Sequence, residues 1–171
     1  MANVDNPRGL RSLGLCLGGG SPQVEEYWKA ATYNKAIFPG DAVNQVADGS
    51  LETSATPGAS LYVGAVLGGY GPVLTLTPHL VTMSPDARYE AQATTAAAAD
   101  RGMNANLLLT AGDAVLQKSK HSINGAAIAV TATHDMKLLK LMPIPGNEPG
   151  AFSAWECSFN PHRHGSASVG V

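Results

Sequence analysis

The sequence predicts an all-β fold, a small β-barrel or β-sandwich of β-tulip or jelly-roll kind, on three observations. Short alternating or apolar segments recur every ~8–12 residues. The 19 glycines and 11 prolines of the 171 residues punctuate them with turn signals. No stretch carries an amphipathic helical stripe of useful length. Composition narrows the function classes. Charged residues are 14% of the chain, against roughly 25% in a typical soluble domain. A net charge of −2 with 44% apolar residues excludes disorder, which needs high charge and low hydrophobicity. It also gives no basic excess for nucleic acid. A coiled coil is excluded for want of Glu, Lys, Arg and Leu. One domain fits the length, and so few charges suit either a surface hidden against other subunits or a soluble one of Ser, Thr, Asn and Gln.

Residues 1–22 have no settled period and end in Gly18-Gly19-Gly20-Ser21-Pro22, so they read as an extended arm with a flexible joint. The domain then spans 23–160, and 161–171 form a polar tail. Tyr27 to Thr32 alternates as a strand. Ala42–Val46 and Leu51–Thr56 flank Asp48-Gly49, the strongest hairpin signal in the chain. Leu61–Leu67 is apolar enough for a buried strand, with Gly64 at a close backbone approach. Residues 72–83 read as one or two edge strands, because Pro78 cannot donate to a central ladder. Tyr89–Thr95 alternates, and Ala96–Ala99 predicts a short helical turn that Gly102 limits. Further strands are expected at Leu107–Thr110, Ala114–Lys118, Ala126–Thr131, Met136–Leu141 and Phe152–Phe159. Asn124-Gly125 is expected to turn between two of them.

Residues 53–85 contain no Asp, Glu, Lys or Arg, but their prolines and glycines keep every apolar run far below the ~20 residues that span a membrane. No partner membrane is expected, and that stretch is expected in the core or at a subunit contact. The N-terminus lacks a signal-peptide core. Cys16 and Cys157 make no disulfide framework and read as reduced thiols, with cytosolic synthesis as the default.

Catalytic and cofactor motifs fail in turn. Gly18-Gly19-Gly20-Ser21 has no following Lys-Ser/Thr, so it is no phosphate loop. Gly-x-Ser-x-Gly is absent, and so is Cys-x-x-Cys. His162 and His164, with His121, His134 or Cys157, have the best metal-like spacing. In a polar tail beside Arg163 they read instead as contact residues. Glu25-Glu26 reads as one exposed and one strand-edge acid, and Cys157 as a core residue. The expectation is a non-enzyme with no cofactor and no metal.

An ordered set of motifs resembles a known family. Met1-Ala2-Asn3, Asn6-Pro7 and Gly9-Leu10-Arg11 are followed by Ile37-Phe38-Pro39-Gly40-Asp41-Ala42-Val43 and Val63-Gly64-Ala65-Val66. Ala87-Arg88-Tyr89 with Ala93, Asp100 to Leu107, a Leu-Leu-Lys-Leu strand, and Trp155-Glu156-Cys157 with Asn160 and His162 complete it. The set is similar to that of the decoration, or cement, proteins of tailed bacteriophages, over most of residues 2–164. The chain departs from that family at 70–83 and at Gly18–Gly20.

The resemblance implies a structural protein on the outer capsid surface of a virion, bridging adjacent major-capsid subunits and stiffening the head. Its expected partners are the major capsid protein and itself, a homotrimer ahead of a homodimer. Pro7, Arg8, Leu10 and Arg11 are the expected arm contacts, with Leu10 in a neighbour's groove and the arginines on its carboxylates. His162, Arg163 and His164 are the expected tail contacts. Two other classes stay open. One is a different β-rich virion part, such as a tail, fibre-base or carbohydrate-binding module, which would need an exposed Trp28 or Trp155. The other is a small barrel enzyme, which would need a pocket with convergent titratable groups.

Overall fold

A computed structural model describes residues 3–15, 20–53, 57–58 and 61–160. Strand accounts for 48% of the structure and the described residues contain no α-helix, so the fold is all-β. In chain order the strands are β1 (Arg11–Leu15), β2 (Val24–Lys29), β3 (Ala42–Gln45), β4 (Leu51–Thr53), β5 (Tyr62–Gly68), β6 (Thr77–Thr82) and β7 (Ala87–Gln92). There follow β8 (Thr95–Ala96), β9 (Asn104–Leu108), β10 (Ser122–Ala129), β11 (Met136–Leu141), β12 (Gly150–Ala151) and β13 (Ala154–Phe159). Strands β2-β4-β3-β5-β6 close a small barrel, and β1-β7-β13-β11-β9-β10 form a six-stranded sheet beside it.

β5 joins the two halves because it is apolar on both faces. All of Tyr62 to Val66 is buried, as a strand with a core on each side must be. Val63 and Val66 face the barrel interior with Ile37, Val43, Leu51 and Val81. Tyr62 and Ala65 face the sheet's core, built on Tyr89, Leu107, Ile123, Met136, Leu138 and Trp155. Tyr62 stacks on Phe159 with ring centroids 5.0 Å apart. The hydroxyls of Thr82 and Tyr89 hydrogen bond at 2.6 Å, stitching barrel to sheet. Gly64 permits this crowding, since a Cβ there would lie 1.5 Å from the Thr82 carbonyl oxygen.

Several expectations hold locally. Asp48-Gly49 turns between the antiparallel β3 and β4. β7 alternates buried and half-buried residues along its length, and the helical turn appears as a 3-10 turn at Ala98–Asp100.

Others are corrected. Pro78 lies in a closed barrel and not on an edge: it pairs with Trp28 on β2, while β5 engages β6 only from Leu80 onward. Its missing N–H therefore leaves no gap in a ladder. Asn124-Gly125 does not turn a hairpin but lies within β10, where the register to β9 shifts between Ile123 and Ile128. A β-bulge uses the same permissive glycine as a turn, and here the Thr95 carbonyl oxygen would sit 2.0 Å from a Cβ on Gly125. The strand expected over Ala114–Lys118 is instead a four-residue turn between Asp113 and Lys118. Glu25 and Glu26 are both exposed.

The arm expectation also meets a different structure over its described residues. β1 pairs antiparallel with β7 at the sheet's edge. Leu10, 2% exposed, belongs to the sheet's core. Hydrophobic burial supplies the reason: a leucine with a cavity to fill in its own domain will not wait for a neighbour's groove.

Candidate functional site

The N-terminal segment is laid down by side-chain amides before β1 begins. Asn3 Nδ2 donates to the carbonyls of Glu148 and Ala151, at 2.8 and 2.9 Å. Gln92 clamps the next turn: its Nε2 donates to the Val4 carbonyl at 2.8 Å and its Oε1 accepts the Asn6 amide at 3.0 Å. The Leu10 amide then donates to the Gly40 carbonyl at 2.8 Å. Arg11 pairs with Glu90 across β1 and β7, so its carboxylate lies within its own chain. Pro7 is half-buried, and Arg8 is exposed with no ion pair among the described residues. Between this segment and β7 runs an open groove of about 500 Å³, lined by Asn6, Arg8, Arg11, Glu90 and Gln92. Of the expected arm contacts, Arg8 and Arg11 reach this groove, whereas Leu10 does not. His162, Arg163 and His164 lie outside the described residues.

A second constellation, which motif reading passed over, lies where the barrel meets the sheet. Asp41 and His121, both almost wholly buried, face each other with Oδ1 and Nε2 3.4 Å apart. His121 Nδ1 accepts the Ala42 amide at 3.1 Å, so the imidazole proton resides on Nε2. Asp41 Oδ2 accepts the Phe38 amide at 2.9 Å. Burial pushes the Asp41 carboxyl up and the His121 imidazole down, each toward its neutral form, although the pair attracts. Ser119, fully buried, lies beside the Asp41 carboxyl, whose pKa it lowers, and accepts the His121 amide at 3.0 Å. Serine, histidine and aspartate are together, but in the wrong order for nucleophilic catalysis. Nδ1 already accepts a backbone amide, Nε2 faces Asp41, and the serine hydroxyl accepts the His121 backbone amide and not a bond from the imidazole that would activate it. The cluster is a polar rivet between β3 and the loop before β10.

Cys157 is wholly buried, its thiol directed at the Tyr89 carbonyl at 3.4 Å, and burial raises its pKa. A thiol so placed is a core residue and not a nucleophile. Among the described residues no three His, Cys, Asp or Glu side chains gather as a metal site. Trp155 is a core residue, its Nε1 bonded to Ser153 Oγ at 2.9 Å. Trp28 is 48% exposed.

The outer face of the barrel is the most unusual surface. Successive outward residues of β2 are Val24, Glu26 and Trp28, and their partners on β6 are Thr82, Leu80 and Pro78. Leu80 is 49% exposed, and Leu67 on the adjoining β5 is 41% exposed. The loop leading into β6 adds exposed Val73, Leu74 and Leu76. Lys29 ties that loop down through its Nζ, which donates to the Thr75 carbonyl at 3.0 Å. Glu26 is the one charge among those three pairs, and Thr82 turns inward, fully buried.

Comparison with known proteins brings no relative to bear: no family model, no curated protein and no solved structure matches the chain.

Proposed function

We propose that the chain is a structural virion protein that binds the outer capsid surface of a tailed phage and cements adjacent major-capsid subunits. The observation that supports this reading is the barrel's outer face, where Trp28, Leu67, Pro78 and Leu80 stand out from three adjoining strands. Isolated exposed leucines are ordinary, but a run of them in one place marks a surface that is covered in use. It belongs to residues 53–85, apart from Trp28, and that stretch carries no charge to strand on docking. A rigid barrel loses little freedom on binding, and many copies on one lattice make a weak contact sufficient. Arg8, exposed and without an ion pair among the described residues, is placed to meet a capsid carboxylate. Self-association, as a homotrimer ahead of a homodimer, belongs to the same reading.

The test mixes purified protein with empty shells that lack it. Saturable binding is expected, and Trp28→Glu with Leu80→Glu should weaken it at least about 30-fold, the scale of two interface anchors. Absence of saturable binding sinks the reading. A carbohydrate-binding virion module is the second reading, favoured by Trp28 alone. Glycan binding lost in Trp28→Ala would favour it over the first.

A further inference from the structure

The turn between Asp113 and Lys118 is a rigid knob with an apolar tip. Val115 and Leu116 are 90% and 63% exposed. The turn is closed by mutual backbone bonds between Asp113 and Lys118, at 2.8 and 3.2 Å. Asp113 Oδ1 accepts the amides of both Val115 and Leu116 at 3.0 Å. Gln117 is held at φ +49°, a left-handed conformation that a non-glycine residue rarely adopts without a reason. A loose loop would lose entropy on docking, whereas this one is already ordered.

Beside the knob a cavity of about 390 Å³ opens between barrel and sheet. Phe38, Val73 and Leu109 give it apolar walls, and Ala114 at the knob's root forms part of its rim. The volume falls in the range of about 300–1,000 Å³ typical of pockets that take apolar ligands. The knob does not fill its own chain's cavity, since Val115 and Leu116 stay exposed.

We propose that the knob of one copy seats in the cavity of a second copy. An exposed apolar tip and an unfilled apolar-walled cavity on the same chain select this occupant, with one charge pair beside them. Lys35 lines the cavity, is exposed, and makes no ion pair among the described residues. Asp113 at the base of the knob keeps a partly exposed carboxylate, 3.5 Å from Lys120. A knob entering the cavity brings its Asp113 toward the neighbour's Lys35. The net charge of −2 leaves little long-range repulsion between copies. Knob and cavity are different patches, so the contact closes as a two-fold pair of reciprocal insertions or as a ring.

The proposal goes beyond the capsid reading, and the two fail separately. A monomer that still saturates shells removes the proposal and the self-association that goes with the capsid reading, and leaves capsid binding itself standing. Self-association without shell binding does the reverse.

The experiment is sedimentation velocity of the full chain over a concentration series. The wild type should associate. Val115→Asp with Leu116→Asp should raise the dissociation constant at least about 30-fold. Ala36→Trp, which fills the cavity, should do the same. An equimolar mixture of those two variants should recover association, because one retains the cavity and the other the knob. Lys35→Glu should weaken association by up to about fivefold, the scale of a partly exposed pair. A wild type that stays monomeric overturns the proposal. So does an oligomer unaffected by the knob variant, or a mixture that recovers nothing. A monomer that binds anionic vesicles through Leu116 would assign the knob to a lipid surface instead, and would equally overturn it.

Discussion

Residues 3–15 and residues 113–118 have opposite sequence characters and opposite fates. The first segment is rich in Asn, Asp, Pro and Arg, and by pattern it ought to trail from the domain. Instead its Asn3 and Leu10 amides donate to backbone carbonyls, its Val4 carbonyl accepts from Gln92, Leu10 enters the core, and β1 joins the sheet. The second reads Asp-Ala-Val-Leu-Gln-Lys and by pattern ought to be a strand. Instead it projects, and its two large apolar residues face solvent. Polarity therefore does not decide which segment belongs to the domain. Available partners decide: the first segment finds unpaired carbonyls, a strand edge and an apolar site, while the second finds none of these within its own chain.

Deleting residues 2–15 is the strongest way to break the comparison. The truncation removes the edge strand paired to β7 and leaves the Leu10 site empty. We expect the thermal unfolding midpoint to fall well beyond the 4–8 °C that about 1 kcal/mol produces in a small domain. Circular dichroism during heating measures it. An unchanged midpoint would return the segment to the status of an appended arm.

Leu10→Ala isolates the apolar part of that effect. A leucine buried to this degree typically costs about 2–5 kcal/mol when cut to alanine, because the transfer energy is lost and a cavity remains. Urea unfolding at constant m-value reads it directly. A loss under about 1 kcal/mol would mean that the site collapses around the smaller side chain.

The junction that receives Leu10 has its own sensitivity, to pH. The Leu10 amide bonds Gly40, immediately before Asp41, and His121 faces Asp41 and Ala42. Burial holds the folded imidazole's pKa below its unfolded value. As pH falls below about 6.5, the unfolded chain takes up a proton that the folded chain refuses, so stability is lost with acidification. Asp41, raised by burial, works the other way: the folded carboxyl protonates first as pH falls, which regains stability nearer its ordinary range. Stability should thus drop from pH 7.5 to 5.5, by at most about 1.4 kcal/mol per pH unit from this one group. His79, also lowered by burial, adds to the same slope. His121→Gln can keep one acceptor and one donor without the titration, and should flatten the slope. An identical slope in that variant would place the titration elsewhere.

Legibility in the sequence follows the same division. Alternation in β7, β11 and β13, the Asp48-Gly49 turn and the doubly buried β5 are local patterns, and each could be read from its own residues. Asn124-Gly125 could not, because a hairpin turn and a bulge use the same permissive dipeptide, and only the approach of Thr95 separates them. Pro78 misled for a related reason: whether a proline is tolerated depends on where the neighbouring strand ends. The Asp41–His121 junction joins residues 80 apart in the chain, and no spacing rule announces it. A single cue existed for each apolar surface: residues 53–85 carry no charge, and Val115-Leu116 come one residue after Gly112-Asp113, a turn signal.

Arg11→Ala tests a smaller part of the first segment. The Arg11–Glu90 pair crosses an edge, and the arginine side chain is 60% exposed. Pairs of this kind contribute about 0.2–1 kcal/mol, and less in high salt. A double-mutant cycle with Glu90→Ala should return a coupling in that range that shrinks between 0.05 and 0.5 M salt. A larger, salt-insensitive coupling would show that the pair locks β1 to β7 more firmly than its exposure suggests.

The smallest expected effect sharpens the comparison most. Leu116→Asp, measured in dilute protein, should change unfolding free energy by no more than about 0.5 kcal/mol, as at other exposed sites. Leucine at position 10 and leucine at position 116 are the same side chain, each next to a left-handed residue, Gly9 before the one and Gln117 after the other. One is expected to cost several kcal/mol and the other almost nothing, and burial in its own domain is the difference between them. If Leu116→Asp proves costly in the monomer, the knob packs against its own chain in solution, and its exposure is not that of a surface held ready for a partner. If the cost appears only at concentrations where copies meet, Leu116 contributes its stability to the contact between copies, as Leu10 contributes it to the fold.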